Sequence, residues 1–190
     1  MAVEEPSFEV VLQEGSYSVR DYPAQIAAET VVQGERSQSI SAGFRMLAGF
    51  IFGGNTRRQS IAMTAPVLQQ PSAGESIPMT APVTQSGSAG AWTIRFIMPR
   101  AYTLETLPQP NDARVRLVPV PRTRYAVVQF SGLAREGDIA QKTTDLKAFI
   151  ATHRLIETGD STLARYDPPW TLWFLRRNEI QIPVRDAAPQ

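Results

Sequence analysis

Ile61-Ala62-Met63-Thr64-Ala65-Pro66-Val67 returns sixteen residues later as Ile77-Pro78-Met79-Thr80-Ala81-Pro82-Val83. In each copy Ile, Met, Ala and Val fall on alternate positions, while Thr and Pro take the opposite parity. A period-2 pattern with one apolar face predicts a half-buried strand from each copy. Pro71, Ser72 and Gly74 supply turn material between them. The expectation is an antiparallel hairpin about a local two-fold axis, with Met63 opposite Ala81, Ala65 opposite Met79 and both Met side chains in the core. Pro66 and Pro82 lack the ladder donor, so each strand should end, bulge or lie at an edge there.

Upstream, Phe8 to Leu12 and Tyr17 to Tyr22 alternate around Gln13-Glu14-Gly15-Ser16 and read as a hairpin, with a third strand over Ala24 to Val32. From Ser37 to Phe52 the period changes. Ile40, Phe44, Leu47 and Ile51 form one face of an amphipathic helix, capped by Ser37 or Ser39 and ended by Gly53-Gly54-Asn55. Downstream, Trp92 to Met98 reads as a strand closed by Pro99, and Ala101 to Asp112 as loop. Val115 to Val120 and Arg124 to Phe130 read as a pair of strands around Pro121-Arg122-Thr123. A second helix is expected from Glu136 to His153, with Ile139, Leu146, Phe149 and Ile150 inward. Leu163 to Tyr166 and Thr171 to Leu175 read as short strands, and Glu179 to Val184 as a last one limited by Pro183.

Strands, helix, strands therefore occur twice, an internal duplication with the heptapeptides near its junction. This order predicts an α+β fold in which both helices pack on a curled antiparallel sheet. No low-complexity linker divides the halves, so the 190 residues read as one domain with a core from about 8 to 184.

Composition narrows the function. A net charge of +1 and 43% hydrophobic residues give no electrostatic case for nucleic acid or an anionic membrane as partner. All basic residues except Lys142 and Lys147 are Arg, the side chain suited to carboxylates and flat aromatic faces. The absence of Cys excludes disulfides, Cys-based zinc and iron–sulfur sites and a cysteine nucleophile. No apolar run reaches the length of about 18 residues that a membrane-spanning helix needs. Met1-Ala2-Val3-Glu4-Glu5-Pro6 reads equally as the start of a trimmed periplasmic or secreted protein and as a native cytoplasmic start. No Gly-x-Ser-x-Gly elbow or paired-carboxylate segment appears, and Gly53-Gly54-Asn55-Thr56 has no Lys after it. The expectation is a protein that is not an enzyme.

The doubled Met-Thr-Ala-Pro-Val resembles the signature of the SOUL haem-binding family. The likeness extends over Tyr17-Ser18-Val19-Arg20-Asp21-Tyr22, Gly43-Phe44, Gly53-Gly54-Asn55, Met98-Pro99 and Phe130-Ser131-Gly132. It continues at Tyr166-Asp167-Pro168-Pro169-Trp170 and Arg176-Arg177-Asn178-Glu179-Ile180. The resemblance implies a distorted antiparallel β-barrel with two helices and pseudo-two-fold halves, similar to the effector-binding domains of some bacterial regulators. It also implies binding of haem or a related porphyrin. A family member thought to ligate the iron carries His where Asp21 stands here. Asp is a poor haem ligand, so the resemblance points to non-covalent haem without a His axial ligand.

The first helix has a second face made of Ala42, Arg45, Gly49 and Phe52, with Met46 at its flank. It is small and apolar with one guanidinium. Either it receives a flat ligand, Ala42 and Gly49 leaving room and Arg45 pairing with a propionate, or it packs against protein. Arg176 and Arg177 read either as further propionate contacts or as an ion-pair and turn-capping cluster. Met63 and Met79 are soft potential ligands whose parity assigns them to the core, and the lone His153 reads as structural. The function expected is a haem-binding module that holds its ligand in a shallow apolar groove at the first helix, for buffering or transfer. The alternatives are a sensor or scaffold for another apolar small molecule and a haem-processing enzyme.

Overall fold

In the computed structural model, which describes residues 4–71, 90–167 and 171–187, the alternating runs become strands and the two stretches of helical period become helices. In chain order these are β1 (Glu9–Glu14), β2 (Tyr17–Tyr22), β3 (Gln25–Gln33), α1 (Arg36–Ile51), β4 (Val67–Pro71) and β5 (Ala91–Ile97). Then come β6 (Arg116–Val120), β7 (Thr123–Ser131), α2 (Glu136–Thr152), β8 (Leu155–Glu157), β9 (Thr162–Arg165) and β10 (Arg177–Asp186). The strands form one antiparallel sheet in the order β1-β2-β7-β10-β9-β4-β5-β3-β6, with β8 added to β10. The sheet curls into a half-barrel carrying both helices, an α+β fold.

The duplication is visible in the pairing. β3-α1-β4-β5 is repeated by β7-α2-β9-β10, and the two units meet where β4 pairs with β9. The strand that precedes each unit crosses over: β2 pairs with β7, and β6 pairs with β3. The sequence pattern had suggested that β6 and β7 pair with each other, and that expectation is corrected here. They are neighbours in the chain but belong to opposite halves, joined through Pro121, which has no N–H for a tight hairpin.

Each helix buries its own core on the same face of the sheet. Leu47, Phe50, Ile51, Ile61, Ile94 and Phe96 cluster under α1; Leu146, Phe149, Ile150, Leu163, Ile180 and Val128 cluster under α2. Residues directly opposite in an antiparallel ladder share a face. The helix-free face is therefore the one bearing Arg20, Thr162, Glu179 and Gln181, all buried and polar.

The first heptapeptide copy is not the strand its alternation predicted. Ile61 is buried and Ala62 exposed, as the pattern requires, but the ladder starts only at Val67. Before it, Thr64 makes a single bridge to Glu4, the Ala65 N–H donates to the Glu4 carbonyl, and the Thr64 hydroxyl donates to the Ile97 carbonyl. Pro66 follows a cis peptide bond. β4 then pairs with β5 and β9, and Met63 is half-buried against the α1 core. The second copy, with Met79, lies outside the described residues. Thr171 to Leu175 is likewise no strand. Trp173–Leu175 is a 3-10 turn closed by the Leu175 N–H on the Leu172 carbonyl, and Leu172, Trp173, Phe174 and Leu175 are all exposed. Among the described residues no helix is long and apolar enough to cross a membrane.

Candidate functional site

α1 starts at Glu35, whose carboxylate accepts from the Ser37 N–H at 3.3 Å. Its buried stripe is Ser39, Gly43, Leu47, Phe50 and Ile51. The expected core face of Ile40, Phe44, Leu47 and Ile51 is thus rotated toward Gly43 and Phe50, with Ile40 and Phe44 half-buried at its edge. Gly43 sets the rotation. A Cβ there would lie 2.7 Å from Ile94 Cδ1, so only Gly lets the helix sit this close to β5. Phe44 packs edge-on against Phe96 at 5.3 Å.

The opposite face is open. Arg45 and Gly49 are exposed, Ala42 is half-buried, and Phe52 stands 67% exposed at the helix end. Among the described residues, no heavy atom comes within 4 Å of a Cβ built at Gly49. Met46 is half-buried at the flank, its Sδ 3.8 Å from the Thr30 hydroxyl on β3. That contact orients the helix: the face of Ala42, Arg45 and Gly49 turns toward the β3 side, away from α2.

The other flank of α1, over the β4–β9 junction, is different. Arg165 ends β9 opposite Val67, on the helix face, and its Nε is buried without a hydrogen-bond partner. Burial lowers the Arg165 pKa, and the guanidinium groups of Arg36 and Arg176 lower it further. Gln69, only 3% exposed, shares that face of β4, and neither its amide nitrogen nor its amide oxygen finds a partner. Arg36 lies over the Trp92 ring at 5.5 Å, and Arg176 Nε donates to the Thr171 carbonyl.

Arg177 belongs to neither place. Its parity with Glu179 puts it on the helix-free face, stacked 3.8 Å over Tyr166 and paired with Glu5 at 2.6 Å. There Glu179, 2% exposed, accepts from Arg20 at 3.0 Å, Tyr166 at 2.8 Å and Gln181 at 3.0 Å. Burial and the neighbouring carboxylate hold the Tyr166 hydroxyl far above its ordinary pKa, so it remains a donor. Burial opposes the charge on Arg20, but Glu179 and the Tyr22 hydroxyl together outweigh it and raise the guanidinium pKa.

Asp21, the position of the family histidine, is held bidentately by Arg124 at 2.7 and 2.9 Å in the α2 half. His153 caps α2 with its ring 4.4 Å from Phe149. Among the described residues no group of three or more His, Asp and Glu side chains could hold a metal ion. Of the seven candidates from sequence, Ala42, Arg45, Met46, Gly49 and Phe52 thus share one side of α1. Arg176 lies on the other flank and Arg177 on the far face of the sheet. Arg165 and Gln69 were missed, although their parity with Leu163 and Val67 placed a polar group on an apolar strand face.

Gly49 and Phe52 are exposed with half-buried Ala42 beside them, and Arg45 lies exposed on the same face. The profile of the SOUL heme-binding protein family matches residues 3–183. None of the curated proteins matches the sequence. Among solved structures, the EcmrR C-terminal domain superposes with a TM-score of 0.67 at 11% identity, over 90% of this chain and 98% of that one. A hydrolase from Listeria innocua gives a TM-score of 0.59 at 14% identity, over 92% and 94% of the two chains. EcmrR in its complex with DNA gives 0.64 at 11% identity, over 90% of this chain and 57% of that one. Likeness at this identity shows the fold alone.

Proposed function

The chain belongs to the SOUL heme-binding protein family, and from that premise we propose that it acts as a single domain holding haem or a related porphyrin non-covalently against the outer face of α1, for buffering or transfer. The observation that supports this seat is the space over Gly49 that no described residue fills. A helix that faced only water would carry more charge than Ala42, Gly49 and Phe52 provide, and a packed one would have atoms over Gly49. The macrocycle lies on Ala42, Gly49 and Phe52, and Arg45 pairs with a propionate. No side chain of this strip is a histidine, and the Met46 thioether faces Thr30, so the iron takes no strong axial ligand from α1. Any iron chemistry is the haem's own; the chain supplies shape, apolar contact and one counter-charge. Arg177, engaged by Glu5 and Tyr166, takes no part in the seat.

Titration of the purified protein with haem, followed at the Soret band, tests the reading. A saturable one-to-one complex whose spectrum lacks histidine ligation is expected. A linear response, equal to that of an unrelated protein with similar exposed apolar area, would count against it.

A further inference from the structure

The connection from β9 to β10 presents Leu172, Trp173, Phe174 and Leu175, four consecutive large apolar side chains that are each more than half exposed. Apolar residues scattered singly over a surface need no explanation, but a contiguous run marks a contact surface. The backbone of this run is closed on itself. The Leu172 carbonyl accepts from the Leu175 N–H at 2.9 Å, the Trp173 carbonyl from the Arg176 N–H at 3.4 Å and the Thr171 carbonyl from Arg176 Nε at 2.9 Å. Trp173 and Phe174 pack edge-on at 5.6 Å.

The run is fixed to a second connection. The Gly132 N–H donates to the Arg176 carbonyl at 3.3 Å, and the buried Asn178 amide donates to the Gly132 carbonyl at 2.9 Å, which ties the β9–β10 connection to the one between β7 and α2. There the exposed Leu133 extends the apolar surface, and with Trp173 it lines a cleft of about 530 Å³. Arg135, Lys142 and Asp138 line the same cleft. The Asp138 carboxylate accepts from the Arg135 N–H at 3.1 Å, and Lys142 Nζ lies 3.9 Å from Asp145. No charge falls within the run, and the cation after it, Arg177, is drawn to the opposite face by Tyr166 and Glu5.

Two features favour a lipid surface as the occupant. A backbone group that leaves water for a bilayer without a partner is penalised heavily, and the carbonyls of Thr171, Leu172 and Trp173 are already satisfied within the turn. Trp, Phe and Leu are also the side chains that settle at the boundary between headgroups and acyl chains, where the Arg135 and Lys142 cations beside Trp173 can meet phosphates. The net charge of +1 gives little attraction to an anionic surface, so apolar insertion drives the contact.

We propose that the turn of residues 172–175 is a membrane-docking element, which lodges Trp173 and Phe174 in the interface of a zwitterionic phospholipid surface with Leu133 beside them. It lies in the α2 half and does not depend on the haem seat on α1.

The test is flotation of the full chain with vesicles of pure phosphatidylcholine and with vesicles that also contain phosphatidylglycerol, alongside sedimentation of the protein without lipid. The chain should float with both vesicles, at affinities within threefold of each other. Trp173→Ser combined with Phe174→Ser should weaken flotation at least tenfold without changing the Tm, because neither side chain is buried. Val31→Ser, at an equally bare apolar residue on β3, should leave flotation unchanged. Absence of flotation with phosphatidylcholine, flotation with the anionic vesicles alone, or unaltered flotation of the folded double variant would overturn the proposal. So would self-association of the parent that the double variant abolishes, which would assign the run to a second copy of the chain.

Discussion

Gly49→Leu separates an open ligand face on α1 from a packing surface. Gly in a helix interior costs about 1 kcal/mol relative to a good helix former, so the substitution removes that cost if nothing opposes it. Nothing described does: a Cβ at residue 49 meets no heavy atom within 4 Å, and the Gly49 carbonyl keeps its bond from the Gly54 N–H at 2.8 Å. The variant should gain up to about 1 kcal/mol, a Tm rise of roughly 2–4 °C for a chain of this size. The control is Gly43→Ala, six residues back on the buried stripe. Its methyl would lie 2.7 Å from Ile94 Cδ1, and overpacking of that kind costs about 1–3 kcal/mol. Thermal denaturation of both variants, with Soret titration of Gly49→Leu, reads stability and ligand space separately. Gly49→Leu should be at least as stable as the parent and bind haem at least tenfold more weakly. A Gly49→Leu protein that is destabilised, or that is stable and binds haem like the parent, refutes the reasoning.

Met63→Ala should cost about 1–2 kcal/mol by urea denaturation, roughly half the cost at a fully buried site, because Met63 is only half-buried; a loss above 4 kcal/mol would mean it belongs to the core. Glu179→Ala leaves Arg20 buried without its counter-charge and should destabilise by about 3–5 kcal/mol, whereas haem affinity of the folded fraction stays unchanged. The Arg124 hydrogen bonds hold the Asp21 carboxyl below its ordinary value of 3.8. A depressed folded-state pKa stabilises above the unfolded-state value, and that contribution disappears as pH falls through the folded-state one. Asp21→Asn should therefore lower stability at pH 7 and flatten the loss of stability below about pH 4; an unchanged acid limb would show that the pair contributes nothing.

The elements legible in the sequence were those whose side-chain period and backbone pairing agree. α2 runs over Glu136–Thr152 and α1 over Arg36–Ile51, each within a residue or so of its apolar pattern, and β3 and β5 cover the stretches read as strands. Residues 61–66 show where the two separate. Ile61 is buried and Ala62 exposed as the pattern demands, but Thr64, Ala65 and Pro66 are all buried; Pro66 withholds a donor, and among the described residues this stretch makes only the bridge to Glu4, so no ladder forms. The exchange of β2 and β6 between halves was invisible because each strand reads the same whichever partner it meets. Thr171 to Leu175 carries four consecutive apolar residues, Leu172 to Leu175, all exposed; with no face to bury, it winds into a 3-10 turn. On α1, charge and size left a ligand groove and a packing surface as alternatives for the second face, where Arg45, Gly49 and Phe52 are exposed. The rotation of the core face needed Gly43, whose role appears only once Ile94 lies beneath it. Arg165 was legible in principle, since a charge at the parity of Leu163 sits on the apolar side of β9.

The seat itself is tested most directly by amide NMR of the protein with and without ferric haem, whose paramagnetic iron broadens nearby resonances. If the macrocycle rests on the outer face of α1, the signals of Ala42, Arg45, Gly49 and Phe52 disappear at one equivalent while those of β1 and α2 persist. Unbroadened α1 signals in a protein that has taken up one equivalent of haem would contradict it.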